Sequence, residues 1–199
     1  PPNNTTVFDR SRYAIHSTPT GMTWKQRPTG IWVMNFDGDD HTAAPIHSAM
    51  SGMSALTVLI WYRSLAANNN KGIAGFSTDS NSPWQILLFP TDIPYFRITT
   101  NISTFNLYLN GTTTSQLTIG TWAHLAFTWD GATMRTYKAA TGTITAGSST
   151  TFHLARYNSV TETNVGCQIG QLKAFSQCFT HDMIRQDRAA TGALYPIGG

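Results

Sequence analysis

The chain has 199 residues, a formal net charge of +3 and only 12 % charged side chains. Its lysines and arginines form no run, which argues against the clustered basic surface that nucleic-acid binding requires. Thr, Ser, Asn and Gly dominate the polar residues, and Glu162 is the single glutamate, so the composition favours strands and turns over helices. We expect one domain of sufficient length to bury a core, and no nucleic-acid partner.

The two ends and the apolar runs set the expected organisation. Residues 1–6 are polar and are expected to form a tail, followed by a single domain over residues 7–199. The chain begins at Pro1 without a recognisable signal peptide, so we expect a processed form or a fragment. The strongest apolar run, residues 55–62, is much shorter than the about 20 residues of a membrane-spanning helix. We therefore expect no membrane insertion.

Short apolar segments alternate with turn residues through the first half of the chain. Residues 56–63 are the most hydrophobic, and their near-continuous apolar run predicts a central strand that is covered on both faces. A spacing of about ten residues, with Asn, Pro, Asp and Gly between the segments, predicts an antiparallel all-β sandwich or jelly roll. The other strands are predicted at residues 31–36, 73–77, 85–89, 95–99 and 105–109.

The strongest local signal is a hairpin at residues 121–137. Two kinds of side chain alternate along residues 122–129, and Asp130-Gly131 then supplies a tight-turn signal. The return strand is predicted over residues 134–138. Because the turn needs a positive φ, we expect replacement of Gly131 by valine to cost about 1 kcal/mol or more.

The last part of the chain is predicted to hold three more strands and one helix. The strands are expected near Thr143, at residues 152–155 and at residues 166–175, with a loop over residues 156–165. Thr180 is predicted to cap a short helix over residues 182–190, with Gly192 as its stop.

The two cysteines, Cys167 and Cys178, are expected to be free thiols. If residues 167–175 are extended, they span roughly 27 Å at about 3.3 Å per residue. A disulfide would need the two Cα atoms within about 7 Å, and therefore a sharp reversal of the chain after Phe175.

Three motifs follow one another along the chain: a Leu-Thr-Val segment with a Trp, a Phe-Thr-Trp-Asp-Gly hairpin, and a Gly-rich closing strand. Their order resembles that of laminin G-like and pentraxin-like domains of the concanavalin A-like lectin/glucanase superfamily. The resemblance covers residues 7–190 and implies a two-sheet jelly-roll sandwich with one short C-terminal helix. It is carried by residues 56–58, Trp61, residues 127–131, Gly166, Ile169, Gly170 and Leu172.

A calcium site is left open by the sequence. Residues Asp37, Asp39 and Asp40 could supply oxygen ligands to a hard cation, or could form a polar turn at a strand end. The resemblance also implies a calcium-binding Asp-Asn pair just before the strand predicted at residues 85–89, but Pro83 and Trp84 occupy those positions. The remaining candidate ligands are Asp79, Asn81 and Glu162, and we expect no cofactor other than this possible calcium.

The sequence argues against an enzyme. Glycosidases need two positioned carboxylates, and the resemblance implies alternating Glu, Asp and Glu on one strand, which a chain with one glutamate cannot supply. Polysaccharide lyases of this sandwich use Tyr, His, Arg and Gln instead. For that chemistry the chain offers His153, Arg156 and Tyr157, which we interpret as structural residues, like His124 in the hairpin.

Binding is the function that remains. Sugar recognition combines an exposed aromatic plane with polar groups, and we predict Trp84, Asn81, Arg156 and Asn158 as ligand-binding residues; Trp84 at the edge of the core is the alternative. We therefore expect an extracellular or virion-surface module that binds a glycan or a surface protein through loops at the sandwich edge. The alternative is a decoration subunit of a virus or phage particle that associates with itself or with capsid or tail proteins. A polysaccharide lyase is less favoured.

Overall fold

The computed structural model describes residue 2 and residues 4–47, 52–67, 71–76, 83–89, 92–101, 103–109, 116–135, 138–139, 151–155 and 166–195. Within these residues, two seven-stranded antiparallel sheets pack face to face. Sheet 1 contains, in spatial order, β1 (Thr18–Thr20), β4 (His41–Pro45), β13 (Thr151–Leu154), β6 (Lys71–Phe76), β7 (Trp84–Phe89), β8 (Ile93–Thr99) and β9 (Thr104–Tyr108). Sheet 2 contains β12 (Lys138–Ala139), β11 (Thr133–Met134), β10 (Trp122–Trp129), β5 (Leu56–Ser64), β14 (Gly166–Phe175), β3 (Trp32–Asp37) and β2 (Thr23–Gln26).

Strand β5 is the centre of sheet 2. It lies between β10 and β14, and every residue in it except Arg63 is buried. Val58 and Ile60 face sheet 1 in the main core, whereas Trp61 lies on the opposite face in a second, smaller cluster. The predicted central strand with two covered faces is therefore confirmed.

The other predicted strands agree with the structure within one to two residues at each end. Strand β14 has the predicted bounds, and β7 begins one residue earlier than predicted, at Trp84. The strand expected near Thr143 and the loop expected over residues 156–165 lie outside the described residues. The all-β two-sheet sandwich with one short C-terminal helix is thus confirmed.

The predicted hairpin is confirmed at its turn and wrong in its return strand. Trp129 lies opposite Met134, and Gly131 has φ 92°. The side-chain oxygen Oδ1 of Asp130 accepts hydrogen bonds from the backbone of Thr133 and Ala132, which lowers the pKa of Asp130. The return strand ends at Met134, and β12 then pairs antiparallel with it. The prediction failed because alternating residues indicate a strand but do not show how far its pairing with a neighbour continues.

The C-terminal helix α1 (His181–Gly192) begins at the predicted cap. The hydroxyl of Thr180 accepts a hydrogen bond from the Met183 backbone at 3.3 Å, and the helix extends two residues past its predicted end. Cys167 and Cys178 are free, as predicted. Cys167 lies in the main core, where burial raises the pKa of its thiol well above the usual value. Among the described residues, no helix has the length and apolar character to cross a membrane.

Candidate functional site

Strands β7, β8 and β9 place one set of aromatic side chains on the outer face of sheet 1. The three strands are consecutive antiparallel neighbours, and their alternate residues, such as Ile86, Phe96 and Leu107, point into the main core. The residues between them therefore point away from the core. On this outer face, Tyr95 of β8 lies directly opposite Tyr108 of β9.

Phe89, Tyr95 and Tyr108 form what we call the outer aromatic cluster. Ring centroids are 5.5 Å apart between Phe89 and Tyr108, 5.5 Å between Tyr95 and Tyr108, and 6.2 Å between Phe89 and Tyr95. Phe89 is 37 % exposed and Tyr108 is half-buried, whereas Tyr95 is only 8 % exposed. Tyr95 is thus the floor of a fixed aromatic surface whose other two rings reach solvent.

Two polar side chains adjoin the cluster one step further along the strands. Arg97 lies opposite Asn106, and its Nε donates to Asn106 Oδ1 at 3.1 Å. Its guanidinium carbon lies 5.7 Å from the centroid of the Tyr95 ring, within range of a cation–π contact. Arg97 is half-buried and Asn106 is exposed. The surface therefore offers aromatic planes beside an amide and a guanidinium, the groups that bind sugar rings and their polar substituents.

Towards β6, the outward side chains of Gln85 and Leu87 in β7 are buried and are not accessible to a ligand. Gln85 lies opposite Arg97 on β7 but is only 2 % exposed, and its Nε2 donates to the carbonyl of Phe76 at 2.7 Å. Leu87, opposite Tyr95, is equally buried. The exposed part of the site is therefore confined to β8, β9 and the end of β7.

The predicted binding residue Trp84 is in the core. It is 1 % exposed, and its ring lies 5.7, 6.3 and 5.6 Å from the rings of Phe76, Phe96 and Phe152. It cannot offer a plane to a ligand, so its assignment to ligand binding is wrong and the alternative is correct. The reason is that Trp84 belongs to β7 and shares the inward face with Ile86. The predicted ligand-binding residues Asn81, Arg156 and Asn158 and the candidate metal ligands Asp79, Asn81 and Glu162 lie outside the described residues.

The outer aromatic cluster was missed by the sequence-based predictions, although the signal was present. The strands predicted at residues 85–89, 95–99 and 105–109 are joined by short turns, which favours consecutive hairpins. With Phe96 and Leu107 turned inward, that pairing sets Tyr95 against Tyr108.

The acidic cluster Asp37, Asp39 and Asp40 closes the turn after β3. Its carboxylate oxygens lie within 4.8 Å of one another, and Asp40 accepts a hydrogen bond from the Asp37 backbone at 2.9 Å. Burial, and then the neighbouring charge, raise the pKa of Asp40, while side-chain hydrogen bonds to Asp39 and Asp40 lower the pKa of Asp37. Both interpretations, a polar turn and a calcium site, remain compatible with this arrangement.

The His124–Asp187 pair looks catalytic but fastens α1 to sheet 2. His124 Nε2 lies 3.3 Å from Asp187 Oδ2, and Lys173 binds the other carboxylate oxygen. The His124 side chain is only 3 % exposed, and the ring of Trp61 lies 4.9 Å away. Burial lowers the pKa of His124, although the nearby Asp187 favours the charged form. His124 is buried against Trp61, and both carboxylate oxygens of Asp187 already have partners, so we interpret the pair as structural.

The lyase candidates are only partly described. The backbone of His153 in β13 pairs with that of Ala43 and of Gly75, whereas Arg156 and Tyr157 lie outside the described residues.

The sequence from residue 36 to residue 185 matches the family model of the concanavalin A-like lectin/glucanases superfamily. The chain belongs to this superfamily. No curated protein matches it at the sequence level. The resemblance inferred from the hairpin, the central strand and the closing strand is therefore confirmed.

Several solved structures are similar to this chain over most of its length. Domain 4 of an extracellular arabinanase from Geobacillus stearothermophilus, in complex with arabinotriose, has a TM-score of 0.60 and 15 % identity, with 85 % of this chain and 86 % of that chain covered. Botulinum neurotoxin type C, whose cell entry depends on two ganglioside molecules, has a TM-score of 0.66 and 14 % identity, with 94 % of this chain and 48 % of the neurotoxin chain covered. Trypanosoma rangeli sialidase in complex with sialic acid has a TM-score of 0.67 and 10 % identity, with 98 % and 32 % covered. The chain thus spans about half of the neurotoxin chain, and at these identities the likeness shows the fold alone.

Proposed function

We propose that this chain is a non-catalytic carbohydrate-binding module, and that the outer aromatic cluster with Arg97 and Asn106 is its binding surface. The observation that carries the proposal is the set of three touching rings, two of them reaching solvent, beside an amide and a guanidinium. Membership of a lectin/glucanase superfamily supports it. The arabinanase domain that was solved with arabinotriose gives further support, since this chain covers most of its length.

The chemistry of the surface fits sugar binding. The C–H faces of a sugar ring pack on aromatic planes, while its hydroxyls bond to amides such as Asn106 and to guanidinium groups. The rings are held by antiparallel strands and by one another, so little side-chain entropy is lost on binding. At the described outward positions of β7, β8 and β9 there is no carboxylate, so this surface lacks the acid pair of a glycosidase.

We further propose that the single domain over residues 7–199 acts outside the cell or on a virion surface, with a glycan or a surface protein as partner. The Thr-rich composition with a single glutamate supports this setting. The same composition favours the second candidate, a decoration subunit that binds capsid or tail proteins or itself. The two candidates differ in one observable, because a decoration subunit needs no glycan.

The test is glycan-array screening followed by calorimetric titration of Phe89→Ala and Tyr108→Ala. We expect each change to weaken glycan binding about tenfold, since each removes an aromatic plane that a bound ring covers. Phe8→Ala is the matched control, because Phe8 is 58 % exposed and lies on the segment that leads to β1, at the other edge of sheet 1. Glycan binding that survives both changes would contradict the proposed surface.

Absence of glycan binding, together with retention on capsid or tail proteins, would favour the decoration subunit. Incubation of the protein with alginate, pectin, laminarin and chitin fragments, followed by mass spectrometry, tests for catalysis. Cleavage that disappears in His153→Ala would contradict the non-catalytic assignment.

A further inference from the structure

Arg97 is a cation in the candidate site without a carboxylate partner among the described residues. The described ion pairs involve His124, Lys173 and Arg185. The contacts of Arg97 are the hydrogen bond from its Nε to Asn106 and the approach to the ring of Tyr95. A half-buried guanidinium with no counter-charge among the described residues has unused capacity to bind an anion.

The two contacts also orient the guanidinium. Asn106 holds the Nε side, and the Tyr95 ring lies 5.7 Å from the guanidinium carbon. The two terminal nitrogens are then left for a ligand. Two parallel N–H donors match the spacing of the two oxygens of a carboxylate, and such charge-assisted bonds are roughly twice as strong as bonds between neutral groups.

We propose that the ligand of this surface is an acidic saccharide, and that Arg97 binds its carboxylate while the outer aromatic cluster packs against the sugar ring. Residues of the uronic acid and sialic acid classes combine these two features in one ring. This inference rests on the proposed function, because it names the substrate class of the same site. It predicts that charge, rather than the number of sugar units, decides affinity.

Neutral ligands account less well for the site. A neutral sugar would leave the guanidinium without a counter-charge among the described residues, and Asn106 and the hydroxyl of Tyr108 already supply donors and acceptors for sugar hydroxyls. A sulfate ester would also satisfy the charge, and two of its oxygens can accept from the fork of arginine as those of a carboxylate do, so the test compares the two anions directly.

The test uses matched ligand pairs that differ in charge alone. Calorimetric titrations compare tetragalacturonate with its methyl ester, 3′-sialyllactose with lactose, and sulfated with desulfated carrageenan oligosaccharides. We expect at least one carboxylate ligand to bind about tenfold more tightly than its uncharged partner. In Arg97→Gln that advantage is lost, whereas Arg97→Lys retains a part of it, because lysine keeps the charge without the fork. Higher salt should weaken acidic ligands alone.

Arg185→Gln is the matched control, since Arg185 lies on α1 over the other sheet and its side chain is 72 % exposed. It makes the same change of net charge and should leave binding unchanged. If acids and esters bind equally, or if Arg97→Gln and Arg185→Gln lose the same amount of affinity, the inference is overturned and the proposed function still stands. If sulfated ligands bind more tightly than carboxylate ligands, and Arg97→Gln removes that binding, then the anion bound by Arg97 is a sulfate ester and not a carboxylate. Failure to bind any saccharide would overturn the proposed function itself.

Discussion

Both outer faces of the sandwich carry aromatic residues, but these residues are buried on sheet 2 and partly exposed on sheet 1. On sheet 2, Trp61, Trp122 and Tyr195 are 1 %, 2 % and 5 % exposed, and the ring centroid of Tyr195 lies 4.9 Å from that of Trp61 and 5.0 Å from that of Trp122. On sheet 1, Phe89 is 37 % exposed and Tyr108 is half-buried. Aromatic residues on an outer face are thus core where Tyr195 packs over them, whereas Phe89 and Tyr108 keep part of their rings in solvent.

The polar groups of the two faces differ in the same way. On sheet 2, the Trp61 indole nitrogen donates to Thr191 at 2.8 Å, and both oxygens of Asp187 are occupied by His124 and Lys173. These contacts join the sheet to α1. On sheet 1, no described residue accepts a hydrogen bond from the two terminal nitrogens of Arg97. The first face contributes stability, whereas we propose that the second contributes recognition.

The largest expected effect separates the two faces by stability. Trp61→Ala should lower the free energy of unfolding by about 3–5 kcal/mol, because it removes a fully buried ring and leaves a cavity under α1. Tyr108→Ala should cost less than about 1 kcal/mol, since part of this ring is already in solvent. Guanidinium denaturation measures both. Equal losses would mean that the sheet 1 cluster is also core.

A second change should disturb the covered face alone. A Cβ at Gly170 would lie 2.1 Å from Cε1 of Tyr195, so Gly170→Ala must displace that ring from Trp61 and Trp122. We expect a loss of about 1–3 kcal/mol of stability and a change in tryptophan emission, with unchanged glycan affinity. Gly192→Ala is the control, because a Cβ at Gly192 meets nothing within 4 Å. A fall in glycan affinity with Gly170→Ala would show that the two faces are coupled.

The smallest expected effect is a pH dependence confined to sheet 2. Burial under α1 lowers the pKa of His124 in the folded protein below its unfolded value of about 6.5. The neutral ring therefore stabilises the fold fully above about pH 6.5, and this contribution is lost as the pH falls through the folded pKa. His124→Gln should have a flatter profile of melting temperature in mildly acidic buffer. Parallel profiles of the two proteins would contradict this assignment.

Local sequence patterns predicted the positions of strands, turns and the helix better than they predicted which side chains point into the core. The near-continuous apolar run of β5, the cap at Thr180 and the Asp130-Gly131 turn each report a local cause, and each is present. The position of Trp84 depended on where β7 begins. A strand that begins at residue 85 leaves Trp84 in a loop, whereas a strand that begins at Trp84 turns it inward with Ile86. A shift of one residue thus changes a binding residue into a core residue.

The candidate site needed information that no single segment carries. Phe89, Tyr95 and Tyr108 belong to three strands, and only the register between the strands brings their rings together. Whether an outer face is covered is also decided at long range: Tyr195, near the end of the described chain, covers Trp61 and Trp122. Alternation shows that a side chain points outward, but not what lies above it.

The most direct test of the central claim is amide chemical-shift mapping of the isotope-labelled protein during titration with tetragalacturonate. The account predicts that the shifts concentrate on β8, β9 and the end of β7, and that the Nε–H signal of Arg97 moves with them. Shifts that concentrate instead on α1 or on the segment around Phe8, with Tyr95, Arg97 and Tyr108 unchanged, would contradict it.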